Sequence, residues 1–152
     1  MTRNVTHASF TIIRQWKHAP AKVFAAFSDQ TKKDKWFARA DGMTVIERSF
    51  DFRVGGQETV SGHWLKTGMV SRFHGVYHDI VPNERIILSY VLHLDERKIS
   101  VSQQCIEIVP DGAGSKLVLT EYGDYLDGYD DAGVREHGTN FQMDGLGQLL
   151  DL

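Results

Sequence analysis

The sequence predicts an α+β fold with one strand, two short helices, six further strands and a long C-terminal helix. Three observations predict this order. An alternating apolar segment near the N-terminus precedes two short stretches with helical spacing. Six more alternating segments follow, separated by short turns rich in Gly, Pro, Asn and Asp. The last segment, 132–152, carries apolar residues at helical spacing. An antiparallel sheet of about seven strands is therefore expected.

Length and composition indicate an ordinary globular protein. The 152 residues are typical of one domain, which we expect to span residues 1–152. Hydrophobic residues make up 41% and charged residues 24%, unlike a disordered chain. The net charge of -3 argues against binding to a phosphate backbone, which requires a basic surface. The basic run Lys32, Lys33 and Lys35 is interpreted as a solvated helix face. We expect no nucleic-acid partner.

Cysteine content and hydropathy indicate the compartment. Cys105 is the only cysteine, so an intramolecular disulfide is excluded and a reducing compartment fits. Residues 1–9 are polar and lack the apolar core of a signal peptide. The longest largely apolar stretch, 86–94, is much shorter than the roughly 20 residues of a membrane span. We therefore predict a cytoplasmic protein without a membrane partner.

The N-terminal elements are predicted from two different periods. Phe10 and Ile12 belong to an alternating segment that is typical of a strand. Pro20 follows at a position that the first turn of a helix accepts. Apolar residues at helical spacing over 23–27 predict one short helix, and residues 31–38 predict a second.

The middle of the chain predicts an antiparallel meander, because its strands are joined by short turns. The pair Gly55 and Gly56 permits the positive φ of a tight turn or bulge. The predicted strands cover residues 45–54, 59–65, 69–81, 86–94, 99–109 and 116–123.

A loop rich in Asp, Gly and Tyr is expected over 124–131, before the final helix. Four glycines in that helix each cost about 1 kcal/mol relative to Ala, so packing must hold it in place. These glycines are Gly133, Gly138, Gly145 and Gly147. The predicted apolar side consists of Met143, Leu146, Leu149 and Leu150, with Val134 and Phe141 on an adjacent stripe.

Five motifs, in order along most of the chain, resemble those of a known family. They are IR (13–14) before APAKVF (19–24), WF (36–37), FDFRVGG (50–56), GVYHDIVP (75–82) and LVLTEYG (117–123). With the element order, they resemble the homologues of the activator of the heat-shock protein 90 ATPase, within the START and birch-pollen-allergen-like (SRPBCC) superfamily. The resemblance implies a helix-grip (START-like) fold, in which a curved antiparallel sheet holds the long C-terminal helix on its concave face.

The resemblance also implies a cavity between the sheet and the helix, but no particular reaction. We therefore favour binding of a small apolar molecule, without a cofactor. An apolar lining with a few hydroxyl groups suits such a ligand. The candidate cavity residues are Trp64, Phe73, Tyr77, Tyr90, Tyr122, Phe141 and Met143. The alternative is that these side chains complete the core and the glycines ease packing of helix on sheet. Strand alternation leaves both open, because one bulge reverses which residues face inward.

Two groups of residues suggest metal ions, but their spacing argues against both. His74 and His78 lie on one predicted strand, where four residues span about 13 Å, too far for one ion. An EF-hand with Gly128 at its sixth position would begin at Gly123 and end at Val134, neither of which has a carboxylate. We expect no metal site and interpret the acidic loop as a lid over the cavity mouth, mobile over 125–131.

Single residues give weaker signals. Cys105 is interpreted as a small buried hydrophobe rather than a nucleophile, and no catalytic residue is assigned. Arg14, Arg53 and Glu121 occupy positions from which a charge could face inward, where it would require a partner. A pair inside the cavity would be the best candidate for orienting a polar ligand group or for acid-base work.

Two further functions stay open. A polyketide-cyclase-like or hydrolase-like enzyme would use the same cavity, and a buried acid with a shifted pKa would favour it. A co-chaperone-like interaction module, or a homodimer, would be favoured by an exposed apolar patch outside the cavity. The family's eukaryotic co-chaperones carry an additional N-terminal domain, for which we expect no room here.

Overall fold

The computed structural model describes residues 2–152, and the elements follow the predicted order. The strands are β1 Val5–Trp16, β2 Met43–Phe50, β3 Gln57–Trp64, β4 Val70–Val81, β5 Arg85–Leu94, β6 Arg97–Asp111 and β7 Gly114–Leu126. The helices are α1 Pro20–Ser28, α2 Gln30–Lys33 and α3 Ala132–Leu150. No helix formed within residues 2–152 combines the length and apolar character that crossing a membrane requires.

The strands form one open, curved antiparallel sheet in the order β1-β7-β6-β5-β4-β3-β2. Strands β2 to β7 are the predicted meander, in which each strand pairs with the next. Strand β1 pairs with β7 along its whole length, from Val5 opposite Leu126 to Trp16 opposite Ser115. The free edges of the sheet are β1 and β2. The predicted seven-stranded α+β fold is confirmed.

Three irregularities in the sheet change which residues face inward. The additional residues are Ile46 in β2 and His78 in β4. The third lies in β6, where Ile99 is unpaired between the partners of Leu92 and His93. A bulge adds a residue to one strand, so the residues beyond it exchange faces. These shifts settle the strand parity that alternation left open.

The turn between β2 and β3 begins earlier than predicted. Strand β2 ends at Phe50, and residues 51–56 form a loop rather than the end of a strand. Gly55 has φ of 82°, and a Cβ at Gly56 would lie 2.0 Å from the carbonyl oxygen of Asp51. The loop is tied to β4, because Gly55 donates its N–H to the Tyr77 carbonyl over 2.8 Å. Both glycines are therefore required by the turn.

Two other predicted boundaries are wrong. Helix α2 ends at Lys33, four residues after its cap Asp29, and the predicted continuation to residue 38 is a series of turns. Strand β7 continues to Leu126, so the acidic loop is confined to 127–131. Tyr125, which was expected in the mobile lid, pairs with Thr6 and Ser100 and is buried. Pairing on both sides extends this strand beyond what its own sequence indicates.

Helix α3 packs over the concave face, against β1 and α1. Its Met143, Leu146 and Leu150 are buried as predicted, and Leu149 is partly buried. Helix α1 contributes Val23, Phe24 and Phe27 to the same core. The sheet side of this core comprises Phe10, Ile12, Ile106, Ile108, Leu117 and Leu119. The same core cluster includes Trp36, Tyr77, Ile86 and Leu88 on the concave side.

Candidate ligand-binding cavity

A cavity of about 490 Å³ lies between the concave sheet, helix α3 and the segment 36–43 after α2. Apolar side chains form most of its wall, among them Leu88, Ile106 and Leu119. The polar side chains that border it include Lys33, Tyr77, Tyr90, Gln104, Asp130 and Arg135. Small-molecule sites in proteins have volumes of roughly 300–1,000 Å³ and a similar mixture of side chains.

Six of the seven candidate residues border this cavity. They are Trp64, Phe73, Tyr77, Tyr90, Phe141 and Met143. The ring of Phe73 stacks on Tyr90 with centroids 4.9 Å apart and meets Phe37 edge-on at 5.0 Å. Trp64 donates its indole N–H to Ser71 over 3.0 Å. Phe73 and Tyr90 therefore form a stacked pair at the cavity wall, and Tyr77 meets Phe50 and Phe52 in a separate aromatic group.

Tyr122 does not border the cavity, so its assignment is wrong. Its neighbour Glu121 faces inward and is fully buried, and alternation along β7 places Tyr122 on the outer face. Tyr122 is 56% exposed and borders a shallow depression with His7 and Val101. Choosing the wrong member of an adjacent pair is the error expected when strand parity is unknown.

The glycines of α3 have different surroundings. A Cβ at Gly138 would meet no atom within 4 Å, and Gly138 borders the cavity together with the exposed Val134 and Phe141. A Cβ at Gly145 would lie 3.4 Å from Trp36 Cβ. The two roles considered for these glycines, leaving space for a cavity and easing the packing of helix on sheet, therefore apply at different positions. Gly138 leaves open space, and Gly145 permits close packing.

A lysine cluster, comprising Lys33, Arg48, Glu58 and Tyr77, lies at one part of the cavity wall. Lys33 Nζ donates to Glu58 Oε1 over 2.6 Å and to the Tyr77 hydroxyl over 3.1 Å. Tyr77 donates to the same Glu58 oxygen over 2.5 Å. Arg48 Nη1 lies 2.8 Å from Glu58 Oε2, without the alignment of a hydrogen bond. One fully buried carboxylate therefore serves two cations.

Aromatic rings surround the ammonium group of this cluster. Lys33 Nζ lies 4.3 Å from the ring centroid of Phe37, 5.3 Å from Phe50 and 5.7 Å from Tyr77. Such rings attract a cation within about 6 Å. Burial nevertheless lowers the pKa of Lys33, although the Glu58 charge opposes this effect. Burial also raises the pKa of Tyr77, and Glu58 adds to that shift, so its hydroxyl stays protonated.

An arginine cluster, comprising Tyr90, Gln104, Glu121, Asp130 and Arg135, joins α3 to the sheet. Arg135 Nη2 donates to Asp130 Oδ2 over 2.6 Å, and Nη1 donates to the Tyr90 hydroxyl over 2.8 Å. Tyr90 in turn donates to Glu121 Oε2 over 2.7 Å, and Gln104 donates to Glu121 Oε1 over 2.9 Å. The buried carboxylate is thereby hydrogen-bonded at both oxygens.

The surroundings of Glu121 raise the pKa of its carboxyl group. Burial raises the pKa of Glu121, and the hydrogen bond from Tyr90 and the charge of Arg135 offset part of the shift. Arg135 Nη1 is 3.7 Å from the nearer carboxylate oxygen, whereas it bonds Asp130 directly. Glu121 therefore shares its cation with a second acid, which weakens the compensation for burial.

The other charged candidates serve the packing of elements. Arg14 pairs with Asp144 at 2.6 Å and donates to Asn140, so it joins β1 to α3. Arg53 pairs with Asp51 at the surface of the loop after β2. Of the three predicted inward charges, Glu121 is the one that borders the interior and has partners there.

The remaining sequence signals lie away from the cavity. His74 bonds Gln57 over 2.9 Å and His78 bonds Ser89 over 2.7 Å. Burial raises the pKa of the Cys105 thiol, which disfavours the reactive thiolate. Over residues 2–152, no three His, Cys, Asp or Glu side chains are grouped so that they could hold a metal ion.

The acidic loop uses its carboxylates in hydrogen bonds to the backbone. Asp127 accepts the N–H of Asn4 over 2.9 Å, and Asp131 caps α3 by accepting the N–H of Val134 over 2.9 Å. Asp130 binds Arg135 and borders the cavity. The loop is therefore fastened to β1 and α3 at its two ends, and its role as a lid stays a prediction.

Lys33, Glu58 and Arg135 are functional candidates that the sequence did not reveal. The interpretation of Lys33 as part of a solvated face is wrong, because its side chain is 5% exposed while Lys32 and Lys35 are exposed. Glu58 lies inside β3, one residue before the predicted start of that strand. The sequence did contain one indication that Glu58 faces inward. Glu58 and Val60 are two residues apart in the same strand, so their side chains point to the same face of the sheet, and Val60 is buried.

Comparison with known proteins agrees with this architecture. The chain is similar to an uncharacterized protein from Rhizobium leguminosarum, with 36% identity, 99% of each chain covered and a TM-score of 0.94. It is also similar to the protein Mll3558 from Rhizobium loti, with 37% identity, 96% of this chain and 99% of that chain covered, and a TM-score of 0.89. A comparison with curated protein sequences found no match.

More distant structures share the fold alone. The protein CV1439 from Chromobacterium violaceum is 24% identical, with 95% of this chain and 97% of that chain covered and a TM-score of 0.77.

The model of the family described as Activator of Hsp90 ATPase homolog 1-like protein matches residues 17–151, from the end of β1 to the end of α3. The match includes both buried clusters and the whole cavity wall, and the chain therefore belongs to this family.

Proposed function

We propose that this protein binds a small, mainly apolar molecule in the cavity between the sheet and α3. The observation that carries the proposal is the cavity itself, about 490 Å³ in volume and walled mostly by apolar and aromatic side chains. The fold of the family is compatible with ligand binding or with a co-chaperone-like domain. The internal cavity favours the former.

The polar side chains at the wall restrict the ligand further. Lys33, Gln104 and Arg135 bear polar N–H groups at a wall that is otherwise mostly apolar. A ligand with one or two oxygen acceptors on an apolar frame would satisfy this arrangement. Such convergent donors fix the orientation of a ligand, while the apolar contacts supply most of its affinity.

Catalysis is a second candidate, favoured by the buried base Lys33 at the cavity wall and by the buried acid Glu121, which lies behind the wall residues Tyr90 and Gln104. Burial shifts the pKa of Glu121 upward and that of Lys33 downward, which brings both groups closer to neutral forms inside an apolar site. Shifts in these directions are common at sites of proton transfer. A cyclase-like or hydrolase-like reaction would use the same cavity.

A co-chaperone-like interaction, a homodimer and a cytoplasmic location stay predictions.

Identification of a retained molecule tests the proposal. Protein purified from its own host should release, after denaturing extraction, a small molecule that mass spectrometry detects at close to one per chain. Gly138→Phe should abolish this retention, because the side chain added at Gly138 meets open space at the cavity wall.

His137→Phe is the matched control, since it adds the same ring at an exposed neighbouring position of α3 that does not border the cavity. Retention should survive in this variant. Equal retention in both variants would place the molecule outside the cavity and contradict the proposal, as would wild-type protein that binds no member of a panel of apolar compounds.

A further inference from the structure

The lysine cluster has more positive charge than its buried carboxylate balances. Lys33 and Arg48 both contact Glu58, at 2.6 and 2.8 Å, while Asp34 also pairs with Arg48 at 2.8 Å from a partly exposed position. Of the two side chains, the guanidinium group is of a type that does not lose its proton in proteins, whereas an amine can. Lys33 is therefore the cation of this cluster that can become neutral. Burial lowers the pKa of Lys33, which also favours the neutral amine.

Position distinguishes Lys33 from a purely structural ion pair. A lysine that only fastens α2 to the sheet would need no contact with the cavity, whereas Lys33 and Tyr77 both border it. The neutral amine is a nucleophile, and a lysine in an apolar pocket is a known means of activating one. The partner for such an amine is a carbonyl carbon.

We propose that the cavity takes a small apolar aldehyde or ketone, and that Lys33 Nζ condenses with its carbonyl carbon to form a protonated imine. The inference rests on the proposed ligand binding and names the chemical class of that ligand.

The residues present account for each proton. Glu58 accepts a proton from the ammonium over 2.6 Å, and the freed lone pair attacks the carbonyl carbon as the C=O π electrons move to oxygen. A proton passes from nitrogen to that oxygen and gives the carbinolamine. Glu58 returns its proton to the hydroxyl, the C–O bond breaks, water leaves and the nitrogen lone pair forms C=N. The net change is R₂C=O plus Lys–NH₃⁺ to R₂C=NH⁺–Lys plus H₂O.

The surroundings of Lys33 also suit the product. The protonated imine keeps one positive charge, which Glu58 and the rings of Phe37 and Phe50 already surround. The Tyr77 hydroxyl accepts a hydrogen bond from the nitrogen over 3.1 Å and donates its own proton to Glu58, so it can accept the N–H of the protonated imine in the same way. The cluster thus needs no rearrangement of charge between ammonium and imine.

Reductive trapping tests the proposal on the wild-type protein. With 2-naphthaldehyde and sodium cyanoborohydride at neutral pH, hydride delivered to the imine carbon fixes the ligand as a secondary amine. Tandem mass spectrometry should then find the added mass, one aldehyde less its oxygen, on Lys33. We expect labelling of Lys33 to exceed that of Lys32 by about tenfold, since cavity binding raises the local aldehyde concentration. Lys32 is the internal reference because it is the exposed neighbour on the same helix.

Substitution of either lysine tests independently which side chain carries the label. Lys33→Met should lose the label and Lys32→Met should keep it. The alcohol counterpart, 2-naphthalenemethanol, lacks the carbonyl and should bind wild-type and Lys32→Met proteins similarly in calorimetry. A cooperative thermal transition in circular dichroism should show that Lys33→Met is folded. Binding of the alcohol with equal labelling of Lys33 and Lys32 would overturn the imine and leave the proposed ligand binding intact. Failure of both measurements would overturn both proposals.

Discussion

Glu121 shows what a charged side chain requires inside this sheet. It is fully buried, and its oxygens accept hydrogen bonds from Tyr90 and Gln104. Its cation, Arg135, lies 3.7 Å away and is held more closely by Asp130. Hydrogen bonds satisfy the carboxyl group, but the charge is compensated incompletely. The penalty for burying a charge therefore appears as a raised pKa.

This imbalance predicts the pH dependence of stability. Because the pKa of Glu121 is raised above 4.5 by burial, folded protein binds the proton more tightly than unfolded protein does. The favourable contribution is fully present below about pH 4.5 and is lost as pH rises through the folded-state pKa. The free energy of unfolding of wild-type protein should thus fall relative to Glu121→Gln as pH rises above 4.5.

Urea denaturation of both proteins across this pH range measures the difference. Subtracting the two curves removes the contribution of the other titratable groups. A wild-type advantage that instead grows with pH would mean that Arg135 compensates the carboxylate more than burial opposes it.

Helix α3 is an element whose stability comes from its contacts. Its glycines oppose helix formation, and its buried residues Met143, Leu146 and Leu150 hold it on the sheet and on α1. Arg135 and Arg14 add polar connections near either end of the glycine-rich region. The same glycines differ in what they permit, because Gly138 adjoins open space and Gly147 adjoins Trp16.

Alanine substitution should separate these two roles. Gly138→Ala should stabilise the protein by up to about 1 kcal/mol, since helix propensity improves and the new methyl group meets no atom. Gly147→Ala should gain less or destabilise, because its Cβ would lie 3.0 Å from Trp16 Nε1. Thermal unfolding of the two variants measures the difference, and equal gains would show that Trp16 moves aside without cost.

At the scale of the whole molecule, two different interiors share one concave surface. One end is a packed core that contains Leu146 of α3 together with buried residues of α1, β1, β6 and β7. The other end encloses the cavity, with polar clusters at its wall. The packed end stabilises the fold, which allows the other end to remain hollow. The two ends meet at side chains that belong to the core and also border the cavity, among them Ile106, Leu119 and Met143.

Truncation within the packed end should be costly. Leu146→Ala should lower the free energy of unfolding by about 2–5 kcal/mol, because the side chain is 0% exposed and its neighbours come from several elements. Leu152→Ala, at a residue that is 93% exposed, is the control and should change stability by less than about 0.5 kcal/mol. Chemical denaturation measures both, and a small effect at Leu146 would indicate that this core collapses around the deletion.

The sequence by itself determined the order of elements, the antiparallel meander and the apolar side of α3. These features follow from local periodicity and turn residues, as in the alternation around Phe10 and the pair Gly55–Gly56. Six of the seven predicted cavity residues border the cavity, and their role in ligand binding stays a prediction.

The tertiary structure decided which side of each strand faces inward and which charges are buried. Tyr122 and Glu121 are adjacent in sequence, and pairing with neighbouring strands places one outside and the other inside. Lys33 is buried because Glu58, 25 residues away in sequence, supplies its counter-charge. Register and charge pairing depend on contacts between distant segments, and local periodicity carries no information about them.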